Sequence, residues 1–134
     1  MLYEKSIQFL VVHCSDTDNN VNLGAREIHK MHLSFGWDGI GYHKIINRSG
    51  LIENGRPEYW IGAHVKGKND VSLGVCLIGR DKFTNKQFTS LEKVLRLWKL
   101  LYPSAKIIGH YNTDDTQKTC PNFDVDIWCK DRNL

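Results

Sequence analysis

The residues best suited to chemistry in this chain are its six histidines and four cysteines. Imidazole and thiolate are preferred zinc ligands and common acid–base or nucleophilic groups. His13 and His110 each follow an apolar segment, and Cys120 lies ten residues after His110 in a polar loop. Ligands at strand ends converge readily at one edge of a sheet, and a His, His, Cys set leaves the fourth zinc position open, as in catalytic sites. Spacing alone does not decide for a metal, because a histidine at a strand end is more often a hydrogen-bonded structural residue.

The elements that must position these residues follow from hydrophobic pattern and turn residues. Apolar segments predict strands, and Leu91, Val94 and Trp98 repeat at helical spacing after a capping box formed by Thr89 and Glu92. The predicted order is a strand over 6–13, a helix over 24–34, a hairpin over 41–46 and 51–53, a strand over 72–78, a helix from the capping box to Pro103, a strand over 106–109 and a short helix capped by Asp124. This order predicts an α/β fold with a mixed central β-sheet flanked by helices.

Length and composition restrict the possibilities further. The 134 residues, 41% hydrophobic and 25% charged, predict one globular domain over 1–134. A net charge of +3 without a basic tract argues against nucleic acid as a partner. No apolar run approaches the ~18 residues of a membrane span, and the first residues lack the pattern of a signal peptide. We therefore expect a monomer that is made in the cytoplasm, does not insert into membranes and keeps its cysteines as free thiols or ligands.

Five short motifs occur in an order that resembles a known family. They are Val12-His13-Cys14-Ser15, Gly41-Tyr42-His43, Gly62-Ala63-His64, Asn69-x-x-Ser72-x-Gly74-Val75, and Gly109-His110 through Lys118-Thr119-Cys120-Pro121. From about Phe9 to Trp128 the chain is similar to the zinc-dependent N-acetylmuramoyl-L-alanine amidases of amidase type 2. It is most similar to their small phage lysozymes, which share a fold with peptidoglycan recognition proteins.

The resemblance implies an activity and a set of site residues. His13, His110 and Cys120 match the family's ligands for one zinc ion, and Tyr42 and Lys118 match its catalytic tyrosine and lysine. His64 and Asn69 align with residues that line the groove for the substrate, peptidoglycan. The implied reaction is hydrolysis of the amide between N-acetylmuramic acid and L-alanine, with zinc supplying the Lewis acid. A phage lysin of this kind acts on the cell wall once it is released from the cytoplasm.

The chain departs from its most similar phage relatives at one place and leaves alternatives open. Those relatives usually have seven residues between the second histidine and the cysteine, and this chain has nine. One alternative is a peptidoglycan-binding module without catalysis, and another is a cytoplasmic amidase that recycles wall fragments. A third is a partner-binding domain with a closed structural metal site. In that site Cys14 is the only nearby fourth ligand, although neighbours on a strand point to opposite faces.

Overall fold

A computed structural model describes residues 6–113 and 119–134. The elements in chain order are β1 (Phe9–Cys14), α1 (Ala25–Ser34), β2 (Lys44–Ile46), β3 (Ile52–Asn54), β4 (Ser72–Leu77), α2 (Asn85–Leu101), β5 (Lys106–Gly109) and α3 (Val125–Lys130). Short 3₁₀ turns over Asn69–Val71 and His110–Asn112 precede β4 and follow β5. The order of strands and helices is the predicted one.

The strands form one five-stranded mixed sheet in the order β3-β2-β4-β1-β5. β1 is parallel to both β4 and β5, β2 is parallel to β4, and only the β2–β3 hairpin is antiparallel. The predicted α/β class with a mixed central sheet is confirmed. Because β1, β4 and β5 run in the same direction, the loops that follow them all leave from the same edge of the sheet.

The two faces of the sheet carry separate apolar clusters. Side chains of β1 and β4, including Leu10, Val12 and Val75, pack with Leu95 and Trp98 of α2. On the other face Ile45 and Ile78 pack with Ile28 of α1. Burial of these side chains provides the main stabilisation of the fold at roughly 25 cal/mol per Å² of apolar surface. His13 follows Val12 on the strand, so its side chain points to the α1 face, where a groove lies open.

The start of α2 corrects the sequence interpretation. The N-cap is Thr84, five residues before the predicted Thr89. Its hydroxyl accepts a hydrogen bond from Gln87 N, and the Gln87 side chain accepts one from Thr84 N. Thr89 instead lies within the helix, and its hydroxyl donates to the carbonyl of Asn85. The earlier cap is selected by a tertiary contact, because the Thr84 hydroxyl also donates to the carbonyl of Arg48 in the hairpin turn.

A second correction concerns the segment that contains Tyr42, which the sequence places in a strand over 41–46. The strand begins only at Lys44. The carbonyls of Gly41 and Tyr42 accept hydrogen bonds from Ala63 N and Arg56 N, which belong to loops. Tyr42 therefore lies in an irregular segment before β2, where it borders the groove. Within the described ranges, no helix has the length and apolar character needed to cross a membrane.

Candidate metal centre and groove

His13 and His110 meet because of the register between β1 and β5. Val12 is paired with Gly109, the last residue of β5, so the next residue of each chain segment lies at the same sheet edge. Their imidazole centroids are 4.6 Å apart. Both side chains are buried. Two parallel strands thus bring together two imidazoles that are distant in sequence.

Cys120 reaches the same place from the loop that returns toward β1. Its carbonyl accepts a hydrogen bond from Tyr111 N at 3.0 Å, and its Sγ accepts one from Cys14 N at 2.9 Å. An N–H donor directed at sulfur favours the thiolate, the form that binds metals. The Cys14 thiol beside it and burial raise the pKa of Cys120 in the absence of a cation, so metal binding must displace the thiol proton.

The three side chains have the composition and spacing of a zinc site. Ligand atoms of His13, His110 and Cys120 all lie within 4.8 Å of one another. Zinc–nitrogen bonds of about 2.1 Å and zinc–sulfur bonds of about 2.3 Å place tetrahedral ligand atoms roughly 3.5 Å apart, so small side-chain adjustments suffice to bind one ion. In the described parts of the chain no other group of three histidine, cysteine or carboxylate side chains meets in this way. Cys14 is outside the group, which argues against the closed four-ligand site.

His64 is in hydrogen-bond contact with His13. His64 Nδ1 is 2.8 Å from His13 Nε2, and His64 Nε2 is 3.3 Å from the hydroxyl of Ser72 at the start of β4. Burial and neighbouring imidazoles lower the pKa of both His13 and His64 well below the usual 6.5. Both rings are therefore neutral at neutral pH, which is the state in which imidazole binds a metal.

The Tyr42 ring lies beside the rings of His13 and His32. Its ring centroid is 5.1 Å from that of His13 and 5.4 Å from that of His32. Burial of the hydroxyl raises the pKa of Tyr42 well above the usual 10.0, and nearby cysteines raise it further. The phenol consequently keeps its proton at neutral pH and is available as a hydrogen-bond or proton donor.

A groove of about 490 Å³ opens over this cluster. Tyr42, His64 and His110 form part of its lining. Phe35 and Trp37 line it from the end of α1, with 59% and 42% of their surfaces exposed and their ring centroids 5.4 Å apart. Trp37 therefore lies partly exposed at the wall of the groove.

Asn69 also borders the groove, but its side-chain oxygen has internal partners. Asn69 Oδ1 accepts hydrogen bonds from the backbone N–H groups of His64 and Val65, at 2.8 and 2.9 Å. These bonds hold the backbone on which His64 is mounted. The other predicted catalytic residue, Lys118, lies outside the described residues.

The remaining histidines have hydrogen-bond partners in the backbone. His32 Nδ1 accepts a hydrogen bond from Gly41 N, and His29 Nδ1 accepts one from Ile40 N. His43 is hydrogen-bonded to the carbonyl of Trp60 and to Gly74 N. The family resemblance places Ser72 in a segment, 69–72, that aligns with residues lining the substrate groove. The contact between its hydroxyl and His64 was missed, because no local sequence pattern shows it.

Comparisons with known proteins agree with this geometry. Residues 3–123 match the family model for N-acetylmuramoyl-L-alanine amidase. The chain is 41% identical over 139 aligned positions to the endolysin of Enterobacteria phage K11, covering 98% of this chain and 90% of that protein. It is 39% identical over 138 positions to the endolysin of Escherichia phage T7, covering 97% and 90%.

A solved structure extends the agreement to three dimensions. The endolysin amidase LysCS from Clostridium intestinale superimposes with a TM-score of 0.87 at 29% identity, covering 99% of this chain and 88% of that one. The family match spans most of the chain and ends beyond Cys120, so it includes all three candidate ligands. The chain therefore belongs to the N-acetylmuramoyl-L-alanine amidase family.

Proposed function

We propose that this protein hydrolyses the amide between N-acetylmuramic acid and L-alanine in peptidoglycan, using one zinc ion per chain, and that it acts as a phage lysin. The observation that carries the proposal is the convergence of His13, His110 and Cys120 at the groove beside Tyr42. The endolysins of phages K11 and T7 at about 40% identity support the lytic role. In that role the chain works as a monomer that reaches the cell wall from the cytoplasm after release.

Amide hydrolysis makes distinct demands on the site. Water must add to the carbonyl carbon, negative charge on the carbonyl oxygen must be stabilised, and the amine must receive a proton as the C–N bond breaks. His13, His110 and Cys120 would hold the zinc ion, which would supply a Lewis acid for polarising the carbonyl and acidifying water. The products are a lactyl carboxylate on the glycan and a stem peptide with a free L-alanine amino terminus.

Tyr42 and Lys118 are proposed to meet the other demands. The protonated Tyr42 phenol, beside His13, can donate a hydrogen bond to the developing oxyanion or a proton to the leaving amine. The resemblance assigns Lys118 a cationic role two residues before Cys120. The open groove with Phe35 and Trp37 on one wall provides an exposed apolar surface for the substrate, and Asn69 remains a proposed substrate contact at its border.

The decisive experiment is mass spectrometry of the soluble products released from Gram-negative sacculi. We compare the wild-type protein with Cys120→Ser and with Cys129→Ser, which removes a buried thiol from α3. Wild type and Cys129→Ser are expected to release stem peptides with a new L-alanine amino terminus. Cys120→Ser is expected to release essentially none, because it loses one of the three proposed zinc ligands.

Other outcomes would replace the proposal. Intact sacculi that retain folded, zinc-loaded wild-type protein would favour the non-catalytic binding module. Hydrolysis of soluble muropeptides but not sacculi would favour a wall-recycling amidase. Full activity after rigorous removal of zinc would exclude the proposed metal mechanism.

A further inference from the structure

A line of hydrogen bonds runs from the candidate ligand His13 into the protein interior. The Ser72 hydroxyl donates to the carbonyl of Lys68 at 2.7 Å. Ser72 Oγ is also 3.3 Å from His64 Nε2, and His64 Nδ1 is 2.8 Å from His13 Nε2. All three side chains are buried. The line begins at a backbone carbonyl, which can only accept, and this fixes the direction of each bond that follows.

The proton positions follow step by step. Because the Ser72 proton is used on the Lys68 carbonyl, Ser72 Oγ must accept, and His64 Nε2 must carry the proton that it receives. The hydrogen-bond partners of the buried His64 ring are a hydroxyl and an imidazole, neither of which offsets a positive charge, so the uncharged ring is favoured and its Nδ1 carries a lone pair. That lone pair requires a proton on His13 Nε2.

We propose that His64 and Ser72 are positioning residues that hold His13 in its Nε2-protonated tautomer, so that Nδ1 is the nitrogen presented to the metal. The inference rests on the proposed zinc-dependent function and gives His64 a role other than contact with substrate. Without the relay, either nitrogen of His13 can carry the proton. A ring protonated on Nδ1 has no lone pair at the nitrogen that the His64 contact leaves available for a metal.

The packing around His64 holds its ring in the orientation that the relay needs. A Cβ added at Gly74 on β4 would lie 2.6 Å from His64 Nδ1, and one added at Gly62 would lie 2.6 Å from His64 Cδ2. Two glycines thus form a slot that the imidazole fills. The backbone N–H of His64 is held by Asn69 Oδ1. An acceptor fixed in this way orients the ligand and raises its basicity, and losing such a partner typically weakens metal binding about 10–100-fold.

The first test reads the tautomer directly in the full-length protein stripped of zinc. Nitrogen chemical shifts of ¹⁵N-labelled histidine rings at pH 7.5 distinguish protonated from unprotonated nitrogens. We expect His13 to be protonated on Nε2 and His64 on Nε2 in the wild type. The Ser72→Ala variant is expected to show a mixture of His13 tautomers, whereas Ser90→Ala, which removes a buried hydroxyl from α2 that bonds the Gly50 carbonyl, is expected to leave the signals unchanged. A wild-type His13 protonated on Nδ1 would overturn the inference.

The second test measures zinc affinity by chelator competition. His64→Leu removes the acceptor and is expected to bind zinc about 10–100-fold more weakly than wild type. His64→Asn places an amide oxygen near the position of Nδ1 and is expected to restore most of that loss. Equal affinity of wild type and His64→Leu would refute the relay and leave the zinc amidase intact. Failure of the wild type itself to bind zinc would refute the proposed function. The tautomer measurement keeps the inference testable if His64→Leu does not fold.

Discussion

At the residue scale, the site combines side chains whose ordinary chemistry is shifted by burial. His13 and His64 are held neutral, and Tyr42 is held protonated. Neutral imidazoles are ready to bind a cation, and a protonated phenol is ready to donate to an anionic oxygen. Metal-assisted amide hydrolysis needs both a metal-binding imidazole and a proton-donating group, and here His13 contacts both His64 and Tyr42. Each can be tested by a substitution that removes a single polar group.

Removing the hydroxyl of Tyr42 tests its role as donor. Tyr42→Phe is expected to lower the rate of stem-peptide release by about 10²–10³, the usual cost of losing one oxyanion donor, while zinc affinity stays at the wild-type value. The measurement is initial rate on sacculi at saturating zinc. Tyr59→Phe is the matched control, since Tyr59 is 61% exposed and does not line the groove. A rate within about twofold of wild type would exclude a catalytic role for the phenol.

At the element scale, the site depends on strand ends and on how closely the strands approach. His13 and His110 extend from parallel neighbours, and Ser72 begins the third strand of the same parallel set. β4 approaches His64 so closely that a Cβ at position 74 would lie 2.6 Å from His64 Nδ1 and require the imidazole to move. On the other side of the sheet, α2 is anchored by the Thr84 cap and supports the strands through Leu91 and Leu95. The elements therefore make separate, measurable contributions.

A methyl group at position 74 should disturb both packing and the metal site. Gly74→Ala is expected to reduce the free energy of unfolding by about 1–3 kcal/mol through overpacking and also to weaken zinc binding, because the added Cβ displaces His64. Denaturant unfolding and chelator competition measure the two effects. Gly36→Ala offers the contrast: its φ of +87° strains alanine, but no atom lies within 4 Å of the new Cβ. It should lose stability without losing zinc affinity, and a Gly74→Ala variant with wild-type zinc affinity would contradict the argument.

The two candidate caps of α2 can be separated by stability measurements. Thr84→Ala is expected to cost about 1–2 kcal/mol, since it removes the acceptor for Gln87 N and the donor to the Arg48 carbonyl. Thr89→Ala, within the exposed face of the helix, is expected to change stability by less than about 0.5 kcal/mol. Urea unfolding of both variants decides between them. A larger loss for Thr89→Ala would restore the cap predicted from the sequence.

At the scale of the whole molecule, folding buries several histidines, and burial is the main cause that lowers their pKa values. They are His13, His32, His43 and His64. In the unfolded chain these rings have their ordinary pKa of about 6.5. As pH falls below that value, the unfolded state binds protons that the folded state resists, so the equilibrium shifts toward unfolding. The folded state therefore keeps its full stability above the unfolded pKa of about 6.5, and its free energy of unfolding falls as the pH drops below that value.

This linkage predicts how the zinc-free protein responds to acid. Its free energy of unfolding is expected to fall by about 1 kcal/mol or more between pH 7.5 and pH 5.5, as measured by urea titration at each pH. A His43→Gln variant should lose less over the same range, because one of the protons taken up on unfolding is gone. Equal or greater stability of the wild type at pH 5.5 would show that these rings are not held neutral.

Much of this organisation is determined by the sequence itself. Residue types identify the possible ligands, apolar segments mark the strands that precede them, and the hairpin turn is marked by Gly50, whose φ is +89°. The motif order identifies the family that the comparisons confirm, and with it the activity. These features are readable because they depend on local chemistry: side-chain type, strand or helix period and turn conformation are properties of neighbouring residues.

Other features were decided only by the tertiary structure. The strand order and the β1–β5 register bring His13 to His110, and the packing of β4 against His64 sets the relay to Ser72, 8 residues away along the chain. The helix cap depends on the hairpin turn at Arg48, and Tyr42 leaves the predicted strand because loops bond its backbone. Each of these outcomes is a contact between distant segments, and its free energy depends on which partner the fold brings near. Local pattern shows which groups need a partner; only the packed chain shows which partner they find.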